Sequence, residues 1–153
     1  VSAPAHRIDA AAAAIKRVLV GVDGSDGSRR AAIFARDIAR AFGAHVTMLH
    51  VIEPWPIGIA GAFDTPMSEH YARQMQHASE FLNALAQELG LGAAEQVIEM
   101  GHPGDVICRE AAERDTDLIV VGWHGHRPGA RLLVGSVGAH VVAAAHRSVT
   151  VVQ

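Results

Sequence analysis

The residues best suited to chemistry fall in one stretch: Gly122-Trp123-His124-Gly125, then nine residues, then Gly135-Ser136, directly after the β-branched run Leu118-Ile119-Val120-Val121. Glycine allows main-chain N–H groups to close on an anion. Behind Ser136, Val137, Val141 and Val142 begin a helical pattern, whose N-terminus adds unpaired donors and partial positive charge. The ligand these features suit is phosphate. Arg127 and Arg131, between the glycines, read either as phosphate counter-charges or as solvated loop arginines. His124 is expected to hydrogen-bond within the loop or to phosphate. His124 and His126 flank Gly125, but with no carboxylate or third histidine nearby no metal site is expected. The plain alternative is that Gly122 ends a strand, Gly125 makes a turn and Ser136 caps a helix.

A second loop, Asp23-Gly24-Ser25, follows another short apolar run, Val18 to Val22. Several other nucleotide and hydrolase chemistries are excluded by their missing motifs. There is no G-x-x-x-x-G-K-[ST], and Lys16, the only lysine, precedes the first run, so P-loop chemistry is ruled out. No G-x-G-x-x-G follows a strand and there is no G-x-S-x-G elbow. The chain has histidines that could serve Ser25 or Ser136, but with 10 His any serine would have one, so neither is marked as an activated nucleophile. Cys108, the single cysteine, reads as a small residue facing a sheet.

The elements that must hold these loops alternate regularly. Strands are expected at 18–22, 45–52, 95–100, 117–121 and 148–152, the first marked by a β-branched apolar run closed by a dense turn signal. Between them lie helices at 29–42, with Ser28 as cap, Gly43 as stop and Ile33, Phe34, Ile38, Ala41 and Phe42 inward; at 67–89; at 105–114; and at 136–145. Such alternation makes a doubly wound, mainly parallel α/β sheet with helices on both faces, binding ligands outside the carboxyl ends of its strands. The Ala-rich residues 1–14 are expected to be a flexible tail ahead of one domain, 15–153. The stretch from Glu53 to Pro66, broken by prolines 54, 56 and 66, is expected to be a long loop acting as a lid or lying on the surface.

Composition agrees with one compact domain. The 153 residues are 50% hydrophobic and 19% charged, with a net charge of -3 that provides no general attraction to nucleic acid or anionic membrane. A lone cysteine argues for no disulfide framework, and no apolar run reaches the roughly 18 residues of a membrane span. A soluble, cytoplasmic protein is the expectation.

The glycine-spaced loop also resembles the universal stress protein family, specifically its ATP-binding subgroup, whose hallmark is Gly, two residues, Gly, nine residues, Gly, then Ser or Thr. Gly122, Gly125, Gly135 and Ser136 match it without a gap. Val20 to Ser25, Leu49-His50-Val51, Gly101-His102-Pro103 and Ser148 to Val152 extend the likeness over nearly everything after the tail. The resemblance implies a Rossmann-like sheet of order 3-2-1-4-5 and ATP in the crevice, with Mg²⁺ possible through phosphate oxygens. Asp23 and Val51 would contact the adenine and ribose end, with Gly21 and Val121 shaping its floor. Gly122 and Gly125 would let the loop approach ribose and phosphates, while Gly135, Ser136 and Val137 would hold phosphate. Because either change adds a methyl where the phosphate must approach, Gly122→Ala or Gly135→Ala should lose most ATP affinity and leave the fold intact. Trp123 replaces the small polar residue of many relatives, and could stack on a ligand, pack on a neighbouring subunit or partly fill the pocket. The resemblance further implies a stress-response regulatory module with little or slow hydrolysis; the alternatives are a slow ATP hydrolase or phosphotransferase, or an interaction module with a vestigial pocket. The protein would be a homodimer pairing the last strand, with Val149 and Val151, across a two-fold axis, unless the N-terminal tail covers that edge.

Overall fold

The computed structural model describes residues 15–54, 67–123 and 135–153. The elements follow the expected alternation: β1 (Arg17–Gly21), α1 (Asp26–Phe42), β2 (His45–Ile52), α2 (Met67–Leu89), β3 (Glu95–Met100), α3 (Pro103–Glu113), β4 (Leu118–Gly122), α4 (Ser136–Ala144) and β5 (Ser148–Val152). The five strands form one sheet of order β3-β2-β1-β4-β5, with every pair parallel. The tail 1–14 and residues 55–66 of the loop after β2 lie outside the described residues.

Successive strand residues point to opposite faces, and both faces of the central strands β1 and β4 are buried, so their apolar residues run unbroken rather than alternating. Val18, Val20, Leu118 and Val120 pack under α1 and α2 with Ala31, Ala35, Leu82 and Leu85. Leu19, Ile119 and Val121 pack under α3 and α4 with Val106, Ile107, Ala111 and Val141.

Two expectations for α1 are corrected. Its cap is Ser25, one turn earlier than Ser28: the Ser25 side chain accepts from the Ser28 N–H, and the helix begins at Asp26. Ser28 is instead buried inside the first turn. The inward face also differs, because Ala31, Ala32, Ala35 and Ala39 face the sheet. Ile33, Phe34 and Ile38 are half-buried at the flanks of that core, and Phe42 is 53% exposed. Alanine brings the helix axis close to the sheet, where a larger side chain would hold it off. Gly43 ends the helix as expected, with φ 67°, in the left-handed region that favours glycine.

Elsewhere the boundaries shift by a residue or two, as at β1, which ends at Gly21 rather than Val22, and at α3, which starts at Pro103. Cys108 is half-buried on α3 against the core, as expected. Burial, helped by the Asp105 charge, pushes its thiol up and keeps it protonated.

Candidate functional site

The sheet opens between its two central strands. β1 and β4 pair from Val18/Leu118 to Val20/Val120, whereas β1 continues beside β2 to Gly21/Leu49 and β4 continues beside β5 to Gly122/Val152. Beyond this point the chain leaves β1 for α1 on one face and β4 for α4 on the other. That divergence is the switch point at which doubly wound sheets bind ligands.

On the β1 side, polar groups lock the turn. Asp23 Oδ1 accepts from the Ser25 N–H at 3.0 Å and from Ser25 Oγ at 2.6 Å. The Asp23 N–H donates to Ser28 Oγ at 3.2 Å, and Ser28 Oγ donates to the Ser25 carbonyl at 3.0 Å. One oxygen of the Asp23 carboxylate is therefore committed to the turn.

On the β4 side, the loop is closed at its base. The Trp123 N–H donates to the Val152 carbonyl at 2.7 Å, and the Trp123 carbonyl accepts from the Gly135 N–H at 2.7 Å. Entry and exit of the eleven intervening residues thus meet, and Gly135 is delivered as the N-cap of α4. Ser136 is exposed in the first turn and Val137 is half-buried against the α3–α4 core. The N-terminus of α4 has no side-chain cap, and α4 alone among the four helices has no acidic residue in its first turn. Among the described residues no side chain caps its dipole and leading amides, a setting that suits an anion.

Gly122 also has a packing part that the sequence did not indicate. A Cβ there would lie 2.5 Å from the Gly27 carbonyl carbon and 2.8 Å from both Gly27 O and Ser28 N. These are backbone atoms of the α1 first turn, so this glycine lets the β1–α1 turn and the β4 strand end pack against each other. The expectation that Gly122→Ala spares the fold is corrected on that ground. Gly21 is likewise tight, with a Cβ 3.1 Å from Ile107 Cδ1 and 3.7 Å from Val121 Cγ1. Val121 is buried and Val51 half-buried on the same face. Gly21, Asp23, Val51, Val121, Gly122, Gly135, Ser136 and Val137 therefore share the carboxyl edge of the sheet. His124, Gly125, Arg127 and Arg131 lie outside the described residues, as does His126.

Sequence reasoning missed His50. Its half-buried ring places Nδ1 2.8 Å from the Val22 carbonyl, and it meets Phe81 of α2 edge-on with centroids 5.7 Å apart. No local signal marks it, because the partner is 28 residues away.

The family model described as the Universal stress protein family matches residues 14–153. The chain belongs to the universal stress protein family. Among its relatives in that family is Universal stress protein MJ0531 of Methanocaldococcus jannaschii, 33% identical over 141 residues, covering 90% of this chain and 82% of the relative. Among solved structures, the universal stress protein UspA of Lactobacillus plantarum superposes with a TM-score of 0.78 at 28% identity, covering 92% of this chain and 99% of that one. A universal stress protein solved in complex with cAMP superposes at 0.63 with 30% identity, covering 90% and 96%. The universal stress protein fold therefore accounts for the whole described chain, including its strand order. Among the described residues, no helix is long and apolar enough to cross a membrane.

Proposed function

We propose that this universal stress protein is a cytoplasmic, stress-responsive regulatory module that binds ATP in the crevice between the β1 and β4 loops. The observation that carries the reading is the closed base of the Gly122–Ser136 loop. It delivers Gly135 and Ser136 to an α4 N-terminus that has neither cap nor acidic residue. A phosphate tail would take the amides of Gly135, Ser136 and Val137 and the Ser136 hydroxyl, with Gly125, His124, Arg127 and Arg131 completing the loop. The nucleoside would lie toward Asp23 and Val51, over Gly21 and Val121. The relative bound to cAMP supports an adenine nucleotide as the class of ligand.

Mg²⁺ would ride on phosphate oxygens and water, since among the described residues no three His, Cys, Asp or Glu side chains group to hold a metal. Hydrolysis is expected to be slow. Phosphoryl transfer needs an in-line nucleophile with a base, and Asp23, the carboxylate assigned to the nucleoside end, spends one oxygen on Ser25.

The homodimer is part of the same proposal. β5 is an edge strand, and its Val152 carbonyl faces β4 through Trp123. Alternation along the strand then turns the main-chain groups of Val149 and Val151 outward, ready to pair with a second copy. Their side chains are half-buried against the α3–α4 core.

Titration calorimetry with ATP and AMP tests the reading. Micromolar binding of ATP, weakened about tenfold or more in Ser136→Ala, is the expected result. Absence of binding by the wild type, together with no nucleotide released on denaturing freshly purified protein, would leave a protein-interaction module with a vestigial crevice.

A further inference from the structure

Both polar groups of the Val22–Asp23 peptide are held by side chains. From one side the Val22 carbonyl meets His50 Nδ1 at 2.8 Å, and from the other the Asp23 N–H donates to Ser28 Oγ at 3.2 Å. The Val22 N–H is also spoken for, donating to the Leu49 carbonyl at 2.9 Å. A carbonyl only accepts, so the ring must carry a proton on Nδ1, which sets the tautomer of a neutral His50. The ring projects from β2 and is held in that orientation by the edge contact with Phe81. This peptide plane opens the Asp23–Ser25 turn, so its rotation sets where the whole turn, with the carboxylate bonded to Ser25, stands relative to β2.

We propose that His50 is a positioning residue of the nucleotide site, acting through Val22 to aim Asp23 at the nucleoside. The inference rests on the ATP reading above. Without the Nδ1 donor, the Val22 carbonyl loses its partner and the plane is held from the Ser28 side alone. The carboxylate keeps its bonds to Ser25, but the turn that carries it is less fixed relative to β2, and the cost of fixing it falls on ligand binding.

Calorimetry with ATP on wild type, His50→Ala, His50→Asn, His50→Gln and the pair with Asp23→Ala tests this. Asparagine can place an amide N–H where Nδ1 stands, whereas the glutamine amide reaches further. The expected pattern is a loss of about tenfold in His50→Ala, substantial recovery in His50→Asn, and little recovery in His50→Gln. In the Asp23→Ala background, His50→Ala should add almost nothing, because its effect passes through the missing carboxylate. Nitrogen-detected NMR of the wild type should show His50 in the Nδ1–H tautomer at pH 8.

Equal affinity of wild type and His50→Ala, or a full additional loss in the Asp23→Ala background, overturns the proposal while leaving ATP binding intact. An Nε2–H tautomer does the same. Failure of the wild type to bind ATP removes the underlying reading and this proposal with it. If His50→Ala does not fold, the contrast between His50→Asn and His50→Gln, with the tautomer, still decides the matter.

Discussion

Gly122→Ala places a methyl carbon against the main chain of the α1 first turn, 2.5 Å from the Gly27 carbonyl carbon and 2.8 Å from Gly27 O and Ser28 N. Ordinary contacts begin nearly 1 Å further out, and no flexible side chain is available to swing aside. The turn must therefore move as a unit, against the hydrogen bonds linking Asp23, Ser25 and Ser28. Overpacking of a close-fitted core costs about 1–3 kcal/mol, and a rigid backbone neighbour argues for the upper half of that range. For a domain of this size each kcal/mol lowers Tm by roughly 3–4 °C, so a fall on the order of 6–12 °C is expected. The assay is thermal unfolding followed by circular dichroism on protein stripped of nucleotide, where ligand contacts cannot contribute. ATP affinity should fall in the same variant, since the displaced turn carries Asp23. An unliganded variant melting within about 1 °C of wild type would refute the packing argument and return Gly122 to a purely ligand-facing part.

Three further outcomes are expected. Ala35→Leu, at a fully buried position where α1 meets the sheet, should cost about 1–3 kcal/mol in urea unfolding without changing the secondary structure by circular dichroism. Acidification should destabilise the fold through Glu110 and Asp117. Burial alone would raise the Glu110 carboxyl, but hydrogen bonds from Arg114 and Arg109 outweigh it and hold it low. Asp117 is lowered chiefly by the Lys16 N–H and, against some desolvation, also by the Arg17 N–H. Folded values below the unfolded ones mean stability present above about pH 4 to 5 and lost as pH falls through the folded values; Glu110→Gln should make that acid limb shallower in urea midpoints measured from pH 7 to 3. Finally, Val151→Pro removes an N–H that faces away from β4, so sedimentation should turn the proposed dimer into a folded monomer; an unchanged dimer would point to another interface.

The alternation of β-branched runs with helical patterns specified the doubly wound class, because periodicities of 2 and 3.6 and the glycine stops are local properties. The glycine-spaced segment after β4 was legible for the same reason: its chemistry resides in residue types at fixed offsets. Ser25 as the α1 cap was within reach too, since a serine three residues before Ser28 offers the same local hydrogen bond. The inward face of α1 was not legible from hydropathy, because Ile33, Phe34 and Ile38 outrank the alanines on any apolar scale. What selects Ala31, Ala32, Ala35 and Ala39 is how near the helix lies to the sheet. Gly122 against Gly27, and His50 against Val22, join segments 95 and 28 residues apart. Such approaches exist only once the strands are ordered, because a single sequence records what each residue can do locally, while steric exclusion and hydrogen-bond pairing between distant backbones arise from the tertiary packing itself.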